Sequence, residues 1–170
     1  IYLAKKSSAL MNLNSLVNFY TLKEGLRAIK DKKFNLILCL EVIEHVKEDH
    51  KLIRFLSKHL EKNGVLIVST PSENAPLYRL GLTGNFDKQV GHLRRYNMRS
   101  LNEIMKDSDL KVLKIYKFEG LIRNSLFVVP YLGFFVKFIR GPISNVVNLV
   151  DKLTIPLFGE SDLFVVSTKK

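Results

Sequence analysis

Apolar residues along this chain fall into two kinds of pattern, short continuous runs and longer stretches with a helical period. The clearest run is Phe34-Asn-Leu-Ile-Leu-Cys-Leu-Glu-Val-Ile-Glu-His-Val46, where Leu36 to Val42 is apolar except for Glu41. A run of this length suits a parallel strand covered on both faces. Val65-Leu-Ile-Val-Ser69, ended by Thr70-Pro71, reads as a second buried strand. Val112 to Phe118 and Leu163 to Ser167 read as two more, and Leu16 to Leu22 as an earlier one. Between them, Ile1 to Met11 and Glu48 to Leu60 carry helical spacing; in the second, Leu52, Ile53, Leu56 and Leu60 share a face. A short helical turn is expected around Leu26 to Ile29. Asn63-Gly64 reads as a helix stop, and Asn97 as the cap of a helix from Met98 to about Lys106. Ser72 to Asn97 has no regular pattern. Strands alternating with helices, followed by a less regular tail, predict an α/β sheet with a modified far edge.

That tail is unusually apolar. Leu126-Phe-Val-Val-Pro-Tyr-Leu-Gly-Phe-Phe-Val-Lys-Phe-Ile139 is too apolar for a surface loop and too short to span a bilayer, and Pro130 and Gly133 interrupt it. From Pro142, Ile143, Val146, Val147, Val150 and Leu153 continue it as an amphipathic helix. Residues 121–158 are therefore read as a cap over an apolar substrate, a membrane-contact segment or a homodimer contact.

Composition narrows the field. With 170 residues and 46% hydrophobic content, one domain with a sizeable core is the expectation. The single cysteine, Cys39, lies in the central run, which excludes a disulfide framework and fits a reducing, cytoplasmic compartment. Against 16 acidic residues stand 27 basic ones, a formal charge of +11 that favours anionic partners. The basic residues are scattered in Lys–Lys pairs, without an aromatic-interleaved stripe. That distribution weighs against nucleic acid and toward peripheral contact with a membrane surface.

The chemistry gathers where the central run ends. Glu41, Glu44 and His45 follow directly, and polar groups at the carboxyl end of such a strand are where open α/β sheets place ligands. Two carboxylates and an imidazole suit a divalent cation. Read without a ligand, Glu44 and Glu48 simply favour a helix N-terminus and His45 packs locally. His50 and His59, on the following helix, read as surface residues.

Three segments in order carry a family resemblance: Phe34 to Val46, then Leu60-Glu-Lys-Asn-Gly-Val-Leu-Ile-Val-Ser-Thr-Pro71, then Gly91-His-Leu-Arg-Arg-Tyr96. Together they resemble the class I S-adenosylmethionine-dependent methyltransferases, in the branch of ubiquinone-biosynthesis-like O-methyltransferases, over about Ile1 to Gly120. The resemblance implies a Rossmann-like sheet and an S-adenosylmethionine cofactor. It also implies a glycine-rich loop after an opening strand, yet the nine glycines here form no such cluster. The chain is therefore expected to be the C-terminal two-thirds of one methyltransferase domain, lacking a βαβ unit of roughly 30 residues or more.

Carried over residue by residue, the adenine pocket falls at Leu22, Lys23 and Glu24. The family's usual aspartate is replaced there by Lys23, or its role passes to Glu24. The methionine part of the cofactor lies against backbone at Cys39, Leu40 and Glu41. Related enzymes show a Glu-x-x-Glu-His pattern with a later histidine, which marks Glu41, Glu44, His45 and His92 as a metal set, with Mg²⁺ the expected ion. Without a metal, His45 or His92 would serve as base. Arg94, Arg95 and Tyr96 follow in a loop that lies over the family's active site. The arginines there would clamp an anionic group of the substrate, or pair with Glu41 or Glu44 to hold the loop down. The expected activity is O-methylation of a small-molecule or lipid-linked acceptor, by an enzyme of which this portion alone is inactive. Two rivals stand beside it: a methyltransferase-like binding protein without catalysis, and a metal-dependent RNA methyltransferase.

Overall fold

The computed structural model describes residues 1–13, 15–129 and 131–170; Pro130, read above as an interruption in the apolar tail, lies outside them. The chain divides into two compact units, Ile1–Lys33 and Phe34–Lys170.

In the first unit the expected N-terminal helix forms as α1 (Tyr2–Leu10). The strand expected over Leu16–Leu22 does not form. Instead α2 (Leu22–Ala28) begins there, because Thr21 and Glu24 make a capping box. The Glu24 carboxylate accepts from the Thr21 N–H at 2.9 Å and from its hydroxyl at 2.7 Å. Those two bonds hold the Glu24 carboxyl below its ordinary pKa. Local capping thus overrides the β-propensity of the preceding apolar residues.

The second unit is built on a four-stranded sheet with order β1-β2-β4-β3. Its strands are β1 (Phe34–Leu40), β2 (Leu60–Pro71), β3 (Leu110–Phe118) and β4 (Asp162–Lys169). β1 and β2 run parallel, joined by a 3₁₀ turn (Ile43–His45) and α3 (Asp49–Lys58). β4 is inserted antiparallel between β2 and β3. α3 and α6 (Met98–Lys106) bury Ile53, Leu101, Ile104 and Met105 against Leu66, Val68, Leu163 and Val165 of the sheet. As the sequence suggests, Asn97 caps α6, accepting from the Ser100 N–H at 2.9 Å.

Two expectations are corrected here. Leu36, Leu38 and Leu40 are about half exposed, at 53%, 55% and 46%, so among the described residues β1 is covered on one face and open on the other. Asn63-Gly64 is not a helix stop: α3 ends at Lys58, and the pair bends the start of β2, where Asn63 takes a φ of 64°. A Cβ on Gly64 would sit 2.9 Å from the carbonyl oxygens of Phe34 and Glu61, so the close approach of the two strands needs glycine.

The stretch read as irregular holds two short helices, α4 (Pro76–Arg79) and α5 (Gly84–Val90). The apolar tail forms α7 (Leu121–Val128), a 3₁₀ segment (Leu132–Phe138) and α8 (Pro142–Phe158). α8 holds α7 by its N-terminus. The buried Asp151 carboxylate accepts from the N–H groups of Gly120 at 2.8 Å and Arg123 at 3.0 Å, and Thr154 Oγ1 accepts from the Leu121 N–H at 2.9 Å. No single helix among the described residues is long and apolar enough to cross a membrane.

Candidate active site at the carboxyl edge of the sheet

A cavity of about 580 Å³ opens beyond the ends of β1 and β2, between the sheet and α7. Leu40, Glu41 and Ser69 form its floor, and Phe118, Phe127 and Phe164 its aromatic wall. At Glu41 the chain turns sharply, with a φ of 52°, in a region that residues other than glycine seldom adopt. Ser69 holds the turn: its hydroxyl donates to Glu41 Oε1 at 2.6 Å, and its carbonyl accepts from the Glu41 N–H at 3.2 Å.

The turn drives Glu44 inside, where it is fully buried. Thr70 donates to Glu44 Oε2 at 3.2 Å, while Oε1 has no hydrogen-bond partner. Burial pushes the Glu44 carboxyl above its ordinary pKa, and the nearby charge of Glu41 adds to this; hydrogen bonds and His45 only partly oppose it. Facing that orphaned oxygen are two imidazoles, His45 Nε2 at 3.6 Å and His92 Nε2 at 4.0 Å. Their other nitrogens are fixed. His45 Nδ1 lies 2.9 Å from the Gly91 carbonyl, and His92 Nδ1 lies 2.9 Å from Asp87 Oδ1. Since both partners are acceptors, Nδ1 donates in each ring, and both Nε2 atoms face Glu44. Glu44, His45 and His92 offer ligand atoms within 4.8 Å of one another. Glu41, expected in the same set, is not part of that group; its carboxylate is turned to Ser69 instead.

The loop carrying His92 is tied down by carboxylates that the sequence did not single out. Asp87 accepts from Arg95 at 2.6 and 3.2 Å, from Thr83 at 2.8 Å and from His92. Burial raises the Asp87 carboxyl, but these hydrogen bonds outweigh it and hold the group below its ordinary pKa. Asp49 accepts from Arg94 at 2.8 Å and from the Tyr96 hydroxyl at 2.7 Å. It too is held low against burial, whereas burial and Asp49 drive the Tyr96 hydroxyl far up. The arginines therefore pair with Asp49 and Asp87, and neither with Glu41 nor Glu44. Arg94 and Tyr96, expected to meet substrate, do not line the cavity and are bonded to Asp49; Arg95 lines it with its guanidinium already engaged by Asp87.

Across the cavity stand Glu119, Ser161, Asp162 and Arg123. The register of β3 against β4 pairs Phe118 with Asp162 and so brings Asp162 near Glu119, the residue after Phe118. Burial, the hydrogen bond to Glu119, and the charges of Glu119 and Glu41 push Asp162 up to about 8, with Arg95 opposing. Cys39 is buried beneath the site and its thiol is pushed up to about 11, chiefly by burial and further by Glu44. Of the expected cofactor residues, Leu40 and Glu41 reach the cavity. Leu22, Lys23 and Glu24 lie in the first unit, at the start of α2, with the Glu24 carboxylate committed to its capping box.

Residues 8–115 match the model of a methyltransferase domain family. Among curated proteins, the ubiquinone biosynthesis O-methyltransferase of Rickettsia akari is 40% identical over 99 residues, which are 54% of this chain and 38% of that protein. The chain spans less than half the length of the curated relatives it matches over about a hundred residues. Among solved structures, an O-methyltransferase from a polyketide synthase multienzyme of Brevibacillus brevis, in complex with S-adenosyl-L-homocysteine, superposes with a TM-score of 0.58 at 16% identity, covering 99% of this chain and 54% of that one. A SAM-dependent methyltransferase from Archaeoglobus fulgidus gives 0.56 at 18% identity, covering 90% and 67%. At such identities the superpositions speak for the shared Rossmann-like fold. With the family model covering well over half of its residues, the chain belongs to the methyltransferase domain family.

Proposed function

We propose that the protein is an S-adenosylmethionine-dependent O-methyltransferase acting on a small or lipid-like acceptor. The cavity at the carboxyl edge of β1 and β2 carries this reading, because it sets the β1 terminus beside an aromatic-walled pocket. The left-handed turn at Glu41 leaves Leu40 and Glu41 on the cavity floor, which supports a cofactor held there against backbone. S-adenosylmethionine, when bound, supplies a methyl group activated on a sulfonium. The chain's part is to orient the acceptor and exclude water, with carboxylates nearby that suit a cationic neighbour. A second cavity of about 350 Å³, lined by Leu126, Val136, Ile139 and Val147, shares Arg123 and Phe127 with the first. Ser144 and Asn148 also line it, so its wall is mixed, with an aliphatic side that would suit the apolar tail of an acceptor. Phe134, Phe135 and Phe138 stand exposed with Lys137 among them, which supports contact with an anionic membrane surface.

Glu44, His45 and His92 would hold a divalent cation, and the buried, unpartnered Oε1 of Glu44 is the observation that fits one. One carboxylate and two imidazoles favour Mn²⁺ or a softer ion over the Mg²⁺ expected from a carboxylate-rich set. Such an ion lowers the pKa of a coordinated hydroxyl.

The test is a calorimetric titration of S-adenosyl-L-homocysteine into the full-length protein, with and without Mg²⁺ and Mn²⁺. Micromolar binding supports a working cofactor site. Folded protein that binds in neither condition refutes the enzyme and leaves the non-catalytic rival. Direct Mn²⁺ binding that Glu44→Gln abolishes supports the metal set; wild-type protein that binds no Mn²⁺ rules it out.

A further inference from the structure

Outside the Glu44–His45–His92 cluster, of which His92 alone lines the cavity, a second group of polar side chains faces that cavity. Glu119 follows the end of β3 and Asp162 begins β4, whose antiparallel register sets Asp162 opposite Phe118, the residue before Glu119. Both acids line the cavity, where burial first and then the neighbouring Glu119 carboxyl raise the Asp162 carboxyl. Glu119 Oε1 also lies 2.7 Å from Arg123 on α7, so its position is fixed from the helix side. Beside them Ser161 is 4% exposed, lines the cavity, and its hydroxyl has no hydrogen-bond partner. A buried hydroxyl left unsatisfied at a cavity wall costs about 1–3 kcal/mol unless something arriving there completes it.

We propose that the Glu119–Asp162 carboxyl pair, completed by the Ser161 hydroxyl, is the site that receives the acceptor's hydroxyl group by hydrogen bonding. The inference rests on the O-methyltransferase reading only for why an acceptor is present. The pair takes the acceptor's O–H as a hydrogen-bond donor, and Ser161 donates back to the same oxygen. Phe118 and Phe164, with ring centroids 4.9 Å apart, provide the flat wall against which an aromatic acceptor rests. The acids at this wall are Glu41, Glu119 and Asp162, and the cations Arg95 and Arg123 are already paired to Asp87 and Glu119. The site therefore accepts a neutral hydroxyl and rejects a carboxylate, and it binds a methylated product less well because that product has no hydrogen to donate. This selectivity runs against the anionic partner that the net charge of +11 suggests.

Matched probes test it on the full chain by fluorescence and ligand-observed NMR: 2-naphthol, 2-methoxynaphthalene and 2-naphthoate. The expected result is 2-naphthol bound on the order of tenfold tighter than its methyl ether, as hydrogen bonds to charged groups imply, with 2-naphthoate weakest. Asp162→Asn and Glu119→Gln each bring naphthol and its ether to within about twofold, and Ser161→Ala has a smaller effect in the same direction. Glu119→Gln serves if Asp162→Asn does not fold, and thermal melting reports which variants are intact. Equal affinity for naphthol and ether in the wild type overturns the proposal, as does a preference that survives in a folded Glu119→Gln or Asp162→Asn variant. S-adenosyl-L-homocysteine binding reports the cofactor site separately, so loss of naphthol discrimination with cofactor binding intact distinguishes this site from the enzyme reading as a whole.

Discussion

Replacing Asp151 tests how the apolar tail is fastened to the methyltransferase sheet. Asp151 is 2% exposed and accepts from two backbone N–H groups at the start of α7, those of Gly120 and Arg123. Asp151→Ala removes a helix cap, worth about 1 kcal/mol. It also leaves two buried donors without acceptors, each costing about 1–3 kcal/mol if water does not reach them. Partial relaxation brings the expected total to about 2–4 kcal/mol. With a slope of about 2 kcal/mol per molar urea, the unfolding midpoint falls by about 1–2 M. Asp151→Asn keeps one carbonyl oxygen and turns an amide N–H₂ toward the other donor, so it loses roughly half as much. Hydrogen exchange should show protection lost at Gly120 and Arg123 and kept in the sheet. Because α7 carries Arg123 and Phe127 into the cavity wall, naphthol binding weakens in parallel. A midpoint unchanged in Asp151→Ala, or an Asp151→Asn variant as damaged as Asp151→Ala, would refute this account of the junction.

Three further outcomes follow from the same structure. Gly159→Ala destabilises strongly, because its Cβ would lie 2.2 Å from the Asn74 carbonyl oxygen at a φ of +99°; a melting temperature within a degree of wild type contradicts this. Glu160 is buried and bonded to Ser72, Asn74 and Lys117, which together hold its carboxyl below the ordinary value against burial. Its stabilisation is present above the unfolded-state pKa and lost as pH falls through the lower folded one. The penalty of Glu160→Gln, about 1–2 kcal/mol at neutral pH, therefore shrinks on acidification, as urea midpoints at pH 7 and pH 3 would show. Asp162 has the opposite sign. Its folded pKa, about 8, lies above the unfolded value, so stability is full below the ordinary carboxylate range and is lost as pH rises through about 8. Asp162→Asn accordingly gains on wild type between pH 5 and pH 9; parallel pH profiles would disprove it.

The sequence made legible what depends on local pattern. The β1 run, the Asn97-capped α6 and the acidic turn at Glu41–His45 all follow from periodicity and capping along a contiguous stretch. It misled where a local signal competed with a weaker one: the Thr21–Glu24 box made a helix where apolar residues suggested a strand. Asn63-Gly64 has the composition of a helix stop, yet the strand approach at Phe34 is what demands the glycine. Residues that meet only through non-local pairing were invisible. Asp87 and Arg95 sit eight positions apart across an irregular stretch, and Asp49 meets Arg94 and Tyr96 from another element. Glu119 and Asp162 are joined only by the register of an antiparallel pair, which composition does not reveal. A usable signal did exist, an acid just past the end of one predicted strand and another just before the next.

The carboxylates of this unit sort themselves by what they are bonded to. Asp49 and Glu160, both buried, and the partly buried Asp87 gather arginine, lysine, hydroxyl or amide donors, and all three are held low. They fasten the loop after α5 and the end of α8. Glu44, fully buried, and Asp162, partly buried, have no cation in hydrogen-bonding contact, and both are pushed up. A fold gains nothing in stability from a carboxyl in that condition, because desolvation goes uncompensated. Both face unsatisfied polar space: Glu44 through its unpartnered Oε1, and Asp162 beside the unpartnered Ser161 hydroxyl. Perturbed groups that structure alone does not explain cluster at functional sites. Asp162 lines the cavity beside a hydroxyl, and Glu44 sits behind it against two imidazoles, of which His92 reaches the cavity; the pair divides its work between an acceptor oxygen and a cation. That division makes separate losses the expected outcome: Glu44→Gln abolishes Mn²⁺ binding and leaves naphthol discrimination, while Asp162→Asn does the reverse. A variant at either position that loses both while remaining folded would show that the two groups act as one.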